Sequence, residues 1–124
     1  MIDRLIDSVI LIDHLNGIDV ATQFVNELIP EKTAISVITR SEILVGLDDA
    51  GEKLVKPLLD QYQLMIIDRT IADLAAKLRR MHRWKLPDAF QAAISKHHKI
   101  KLTTRNTKDF DPQKYDFVEI PYRI

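Results

Sequence analysis

The chain has 124 residues, of which 18 are basic and 18 acidic, so its formal net charge is zero, and it contains no cysteine. This length predicts one domain over residues 1–124 with a hydrophobic core of its own. The lack of cysteine excludes disulfides, thiolate zinc sites and cysteine nucleophiles, and it fits the reducing cytoplasm, where we expect the protein. Two charges interrupt the first five residues, and the longest aliphatic run is 9–12, so neither a signal peptide nor a membrane span is predicted.

Short β-like runs alternate with helical stretches. In chain order, the hydrophobic pattern predicts a strand at 4–7, helices at 9–15 and 20–28, a strand at 33–37, helices at 39–47 and 51–62, a strand at 64–67, helices at 71–81 and 87–97, and strands at 100–103 and 117–120. Ser8 is the expected N-cap of the first helix, and Pro87 suits the first turn of the last one. The alternation predicts an α/β fold with a mostly parallel sheet of four to five strands.

The charges are segregated along the chain. Residues 77–108 contain ten basic residues and a single carboxylate, Asp88, whereas most acids lie in residues 1–76. This segregation indicates a polyanionic partner. The alternative is a set of ordinary solvated helix faces.

Three carboxylates fall where a helix begins after a strand or a turn. Asp7 ends the first strand, Glu42 is placed in the first turn of the helix after the second strand, and Asp88 follows Pro87. The segment after the fourth strand adds Thr104, Asn106 and Asp109. Parallel sheets bind ligands beyond the carboxyl ends of their strands, where the strand order reverses, so these side chains are the candidates for a site.

Each acid also has a purely structural interpretation. Asp7 can take part in capping a helix, Thr39 and Glu42 match a capping box, and Asp88 suits the positive end of a helix. Several carboxylates gathered at one sheet edge repel one another, however, and only a cation relieves that repulsion fully. Hard divalent cations prefer oxygen ligands, and Mg²⁺ commonly combines one or two carboxylates with phosphate oxygens. An acidic pocket edged by basic residues therefore favours metal-assisted phosphodiester hydrolysis.

Other site types lack their motifs. Three glycines are too few for a phosphate-binding glycine-rich loop, and no Gly-x-Ser-x-Gly segment is present. The four histidines show no His-x-x-x-His spacing, so a zinc site is not expected.

Four segments together resemble the PIN-domain family, in particular the VapC toxins of bacterial toxin–antitoxin pairs. They are Leu5–Asp13 (LIDSVILID), Ile35–Gly46 (ISVITRSEILVG), Leu86–Ala93 (LPDAFQAA) and Leu102–Phe110 (LTTRNTKDF). They occur in the family's order and cover the chain almost end to end. The resemblance implies a three-layer α/β/α PIN-like domain around a parallel sheet.

The resemblance also implies a metal-dependent endoribonuclease whose acidic core is Asp7, Glu42 and Asp88. These residues are expected to hold Mg²⁺, or Mn²⁺ in its place, with Asn106 or Asp109 as the further ligand. Ser8 and Thr104 match hydroxyl positions that support the site in this family.

The same resemblance implies an RNA substrate, a small antitoxin partner and a homodimer. Candidates for contacts with the RNA backbone are Arg79, Arg80, Arg83, Lys85, Lys96 and Lys99. Trp84 is either a stacking platform for a base or a buried residue. The apolar stripe 71–81 serves either the core or the dimer interface.

Three other functions compete with this interpretation. A PIN-type nuclease with another substrate is one, and a binding module that has kept only the fold is another. A phospho-acceptor signalling domain is the third, but it needs an adjacent acidic pair after the first strand, where this chain has Asp7-Ser8.

Overall fold

Five short parallel strands form the sheet at the centre of the computed structural model, which describes residues 1–124. They are β1 (Arg4–Ile6), β2 (Thr33–Ser36), β3 (Gln63–Met65), β4 (Lys101–Thr103) and β5 (Val118–Glu119). Their order across the sheet is β3-β2-β1-β4-β5, and every neighbouring pair is parallel. The predicted parallel sheet is confirmed, with β5 as a short edge strand.

Six helices and one 3₁₀ turn (Pro30–Lys32) connect the strands. The helices are α1 (Ser8–Leu15), α2 (Asp19–Glu27), α3 (Val37–Val45), α4 (Asp49–Asp60), α5 (Arg69–His82) and α6 (Leu86–His98). All elements lie within two residues of their predicted bounds. None of the six helices combines the length and the apolar character that a membrane span requires.

Two hydrophobic cores lie on opposite faces of the sheet. Leu5 and Ala34 belong to the core under α5 and α6, whereas the next residues along each strand, Ile6 and Ile35, belong to the core under α1 to α4. Successive side chains of a strand point to opposite faces, so a strand covered on both faces needs consecutive apolar residues. The arrangement confirms the three-layer α/β/α architecture.

The caps of two helices differ from the sequence-based prediction. Asp7, not Ser8, is the N-cap of α1, and its side chain accepts a hydrogen bond from the Ser8 N–H. Ser36 is the N-cap of α3, and its Oγ accepts from the Thr39 N–H at 3.0 Å. Glu42 therefore lies in the second turn of α3, not the first, and a capping box with Thr39 is wrong. Pro87 lies in the first turn of α6, as predicted, although the helix begins one residue earlier at Leu86.

Trp84 is buried, so the hypothesis that it stacks a base is wrong. It is 4% exposed, its ring lies 4.9 Å from the Phe110 ring, and its Nε1 donates to the Asp109 carbonyl at 3.0 Å. The apolar stripe of α5 faces the same core through Ile71 and Leu78. The core interpretation therefore holds for this part of the stripe, whereas Met81 at its end is 62% exposed.

Candidate active site at the carboxyl edge of the sheet

A cleft of about 530 Å³ opens beyond the carboxyl ends of β1 and β4. The chain runs from β1 to β2 and β3 on one side of the sheet and returns through β4 and β5 on the other, so the strand order reverses between β1 and β4. Four carboxylates line the cleft, those of Asp7, Glu42, Asp88 and Asp109. The tertiary structure thus brings together acids that lie up to 102 positions apart.

Asp7 is held at the floor of this cleft. It is 8% exposed, and its Oδ1 accepts hydrogen bonds from the Ser8 N–H at 2.9 Å and from Gln91 Nε2 at 3.3 Å. Its Oδ2 accepts from the Thr104 hydroxyl at 2.8 Å. A carboxylate offers about four lone-pair positions, so these three bonds fix its orientation and leave capacity for a cation.

Asp88 lies in the first turn of α6, lines the same cleft as Asp7, and has a raised pKa. Burial, followed by the charges of Asp7, Asp109 and Glu42, raises its pKa to about 6, while Lys85 opposes the shift. The pKa of Glu42 is raised as well, chiefly by partial burial, with the Ser8 hydroxyl opposing this and the charge of Asp7 adding to it. Burial is the largest cause of both shifts, and the charges of the neighbouring carboxylates, which a cation would neutralise, add to it.

The segment after β4 forms the other wall. The Thr104 Oγ1 accepts from the Asn106 N–H at 3.1 Å, and Asn106 Nδ2 donates to Asp109 Oδ2 at 2.9 Å. Asn106 and Asp109 both line the cleft and are paired with each other. Thr104 and Ser8 contact Asp7 directly, Ser8 through its backbone amide.

An ion pair that sequence reasoning missed anchors this wall to α1. Arg105 Nε and Nη2 bind the two carboxylate oxygens of Asp13 at 2.5 and 3.0 Å, and the Tyr122 hydroxyl donates to Asp13 Oδ2 at 2.8 Å. Asp13 is 5% exposed, and the hydrogen bonds from Arg105 hold its pKa below the usual range. No local signal pairs residues 92 positions apart, although Arg105 adjoins two predicted site residues.

The predicted RNA-contacting residues do not share one surface. Lys85 lines the cleft, and Arg83 lines a neighbouring cavity of about 250 Å³ that shares the segment 107–109 with it. Arg79 instead donates to the Trp84 carbonyl at 2.6 Å, where it helps to close the turn after α5. Arg80 is exposed on α5 and lines neither cavity.

Lys96 and Lys99 lie at the opposite end of α6 from Asp88. They follow it by 8 and 11 residues, which is about 12 and 16 Å along a helix, and they border a separate cavity. The structure therefore does not bring them to the acidic cleft. Arg105 and Lys108 line it instead, and neither was among the predicted contacts.

The cleft fits a hydrated hard cation better than a fully protein-ligated one. Its acidic and amide oxygens are the donors that Mg²⁺ and Mn²⁺ prefer. No three His, Asp or Glu side chains are close enough together to hold one ion between them. Since Mg²⁺ commonly binds one or two carboxylates and keeps several waters, the arrangement fits ligation that is partly water-mediated.

Comparison with known proteins agrees with this geometry. A family model described as PIN domain matches residues 4–114. The chain belongs to the PIN-domain family. This is a family of nucleases, and its domains generally use divalent metals. None of the curated proteins compared with this PIN domain matches it.

Solved structures relate the PIN domain to toxin–antitoxin proteins. It is 36% identical to a chain of a toxin–antitoxin complex from Klebsiella pneumoniae, with a TM-score of 0.89 over 98% of this chain and 100% of that one. FitAcB from Neisseria gonorrhoeae is 22% identical, with a TM-score of 0.81 over 98% and 99%. DNA-bound VapBC from Salmonella typhimurium is 18% identical, with a TM-score of 0.74 over 90% and 92%, and these two show the fold alone. The predicted membership among VapC-like PIN-domain toxins is confirmed.

Proposed function

We propose that this PIN domain is a metal-dependent endoribonuclease that acts as the toxin of a toxin–antitoxin pair. The observation that carries the proposal is the convergence of Asp7, Glu42, Asp88 and Asp109 in one cleft, edged by Lys85 and by two further basic residues, Arg105 and Lys108. A cation there would neutralise the acids, and Lys85 and Lys108 would attract phosphates, since Arg105 is already paired with Asp13.

Asp7, Glu42 and Asp88 would hold Mg²⁺ or Mn²⁺, directly or through its waters, with Asn106 and Asp109 at the facing wall. A divalent cation at this place lowers the pKa of water and stabilises the charge on phosphoryl oxygens. The hydrogen bonds to both oxygens of Asp7 fix the orientation of its carboxylate. Asp7 would therefore serve as a rigid ligand for the cation.

A proton must leave the attacking water, and Glu42 or Asp88 is placed to accept it. A carboxylate within hydrogen-bond reach of that water, directly or through a second water, can act as its general base. Attack by water leaves a 5′-phosphate and a 3′-hydroxyl. This chemistry needs no 2′-hydroxyl, so the preference for RNA rests on the family resemblance.

The proposal includes a small antitoxin as partner and a homodimer as the assembly, in the cytoplasm. The Klebsiella pneumoniae relative belongs to a toxin–antitoxin complex, which supports a protein partner. An arginine from such a partner would bind the carboxylates of the cleft in bidentate geometry and block the entry of phosphate.

Cleavage of total cellular RNA by purified, antitoxin-free protein tests the proposal. Wild type is compared with Asp7→Asn and with Asp73→Asn, a matched change at an exposed acid of α5 that lies outside the cleft. We expect discrete fragments in Mg²⁺ or Mn²⁺, none in EDTA, none with Asp7→Asn, and wild-type cleavage with Asp73→Asn.

Two results would contradict the proposal. Cleavage that survives both EDTA and Asp7→Asn would remove the metal and the acidic cleft from the reaction. If protein that binds Mn²⁺ cleaved DNA but no RNA, the proposed nuclease activity would stand, and the assignment of RNA as the substrate would be wrong. If a short open reading frame adjoins this gene and encodes the antitoxin, its co-expression should suppress the activity.

A further inference from the structure

Gln91 lines the acidic cleft and contacts Asp7, although its side chain carries no charge. It is 2% exposed, and it lines the cleft together with the carboxylates. Its Nε2 donates to Asp7 Oδ1 at 3.3 Å and to Thr39 Oγ1 at 2.8 Å. An amide nitrogen has two protons, so both of its donor positions are used.

These two bonds connect the three elements that carry the acids. Gln91 follows Asp88 by three residues on α6, and positions three apart share one helix face. Thr39 precedes Glu42 by three residues on α3, while Asp7 caps α1. One carboxamide on the helix of Asp88 is therefore bonded both to Asp7 and to the helix that carries Glu42.

The oxygen of the same amide is unused by the protein. Gln91 Oε1 is buried and has no hydrogen-bond partner among the other residues. Buried carbonyl oxygens are rarely left without a hydrogen-bond partner, because no protein contact then offsets the free-energy cost of removing them from water. The reversed amide would place Oε1 against the Asp7 carboxylate, where two acceptors would repel each other, so the observed orientation is the favourable one.

We propose that Gln91 is a positioning residue that orients Asp7 for the cation and offers Oε1 as an acceptor to a water in the cleft. This inference rests on the proposed metal-dependent function and extends it to a residue outside the acidic set. Residues that hold a metal ligand in place commonly govern affinity for the ion without touching it.

Gln91→Met tests the inference, because methionine has a similar length and shape but no amide. Ser95→Ala is the matched control. Ser95 is also fully buried on α6, and its Oγ donates to the Ile100 carbonyl at the end of the helix remote from Asp88. Both changes remove a buried hydrogen bond from the same helix, and only one of them lies in the cleft.

The readout is the dissociation constant for Mn²⁺, measured by calorimetry or electron paramagnetic resonance without RNA. We expect Gln91→Met to weaken Mn²⁺ binding about 10–100-fold, and Ser95→Ala to leave it within twofold of wild type. In the RNA assay, the Mn²⁺ concentration for half-maximal cleavage should rise by the same factor while KM for RNA stays unchanged.

Unaltered Mn²⁺ affinity in folded Gln91→Met would overturn the role of Gln91 and leave the proposed nuclease intact. An equal loss in Ser95→Ala would do the same, because it would assign the effect to general loosening of α6. If wild type itself bound no Mn²⁺ and cleaved no RNA, both proposals would fall together.

Wild-type protein supplies an independent measurement should Gln91→Met not fold. Both side-chain amide protons of Gln91 are hydrogen-bonded, so we expect them to exchange with solvent at least tenfold more slowly than those of the exposed Gln61. Their nuclear magnetic resonance signals should also shift on addition of Mg²⁺, whereas those of Gln61 should not. Rapid exchange or absence of a shift would refute the proposed contacts.

Discussion

Replacing Asp88 by Asn should stabilise the protein at neutral pH in the absence of metal while abolishing its cleavage of RNA. The pKa of Asp88 is raised to about 6 by burial and by the neighbouring carboxylates. In the unfolded chain this carboxyl returns to its ordinary pKa of about 4. The folded protein therefore binds the Asp88 proton more tightly than the unfolded chain does.

The sign of the pH dependence follows from this difference. Below pH 4 the carboxyl is protonated in both states and the aspartic acid behaves like asparagine. Between about pH 4 and 6 the unfolded chain loses the proton first, so the free energy of unfolding of wild type falls as pH rises. Above pH 6 the carboxyl is ionised in both states, and the wild-type free energy of unfolding stays lowered by the full cost of the buried charge. Asp88→Asn does not bear this cost, because its amide does not titrate.

The magnitude is moderate because Asp88 is only partly buried. Two pKa units correspond to about 3 kcal/mol, solvent screening reduces this figure, and the positive end of α6 favours the carboxylate by about 0.3–1 kcal/mol. We therefore expect Asp88→Asn to be about 1–2 kcal/mol more stable than wild type at pH 7 and equal to it at pH 4.

Urea unfolding in EDTA at pH 4, 5, 6 and 7 measures this difference directly. Asp73→Asn, at an exposed acid outside the cleft, should follow wild type throughout. Added Mg²⁺ should raise the stability of wild type above that in EDTA, by mass action on the folded state, and should help Asp88→Asn less. A difference between wild type and Asp88→Asn that is constant from pH 4 to 7, or that favours wild type at pH 7, would refute the electrostatic account of the cleft.

Three further predictions concern the surroundings of the cleft. Arg105→Met leaves the buried carboxylate of Asp13 without its ion-pair partner, so we expect the free energy of unfolding in urea to fall by about 2–4 kcal/mol. Adding Asp13→Asn to this variant should recover part of the lost stability. No recovery in the double variant would contradict the pairing. In catalytically inactive protein, Lys108→Ala should weaken RNA binding and reduce the slope of log affinity against log salt concentration by about 1. Lys99→Ala, at the far end of α6, should change neither quantity. Equal effects of the two changes in fluorescence anisotropy would show that RNA reaches both ends of the helix. Trp84→Ala should cost about 3–5 kcal/mol of stability, and a loss of RNA affinity in a variant of unchanged stability would revive the stacking hypothesis.

The acidic cleft shows how far the sequence alone reaches. Asp7, Glu42 and Asp88 were identifiable because each sits near the start of a helix that follows a strand or turn, and parallel strands place those starts at one edge of the sheet. The predicted N-cap of α3, Thr39, lies three residues after the observed one, Ser36. Serine and threonine are both good N-caps, and the local pattern does not choose between them. That error put Glu42 in the wrong turn but on the correct element.

The basic residues show where sequence reasoning fails. Lys85 and Lys99 belong to one basic segment of the chain, yet they lie at opposite ends of α6. Each residue of a helix advances about 1.5 Å along the axis. Basic residues that are near one another in the sequence can therefore lie at two distant edges of a small domain. Burial of Trp84 by Phe110 and Tyr115 is likewise a contact between segments far apart in the chain.

The sequence by itself determined the elements, their order along the chain and the acids near the starts of the helices, because periodicity and capping are local properties of the chain. Only the tertiary structure decided that β1 lies between β2 and β4, and hence that Gln91 and Thr104 reach Asp7 across 84 and 97 positions. The pairing of Arg105 with Asp13 was decided in the same way. These contacts depend on strand order and helix packing, which are set when both faces of the sheet are buried at once. Because no single segment determines them, they leave no periodic pattern in the sequence.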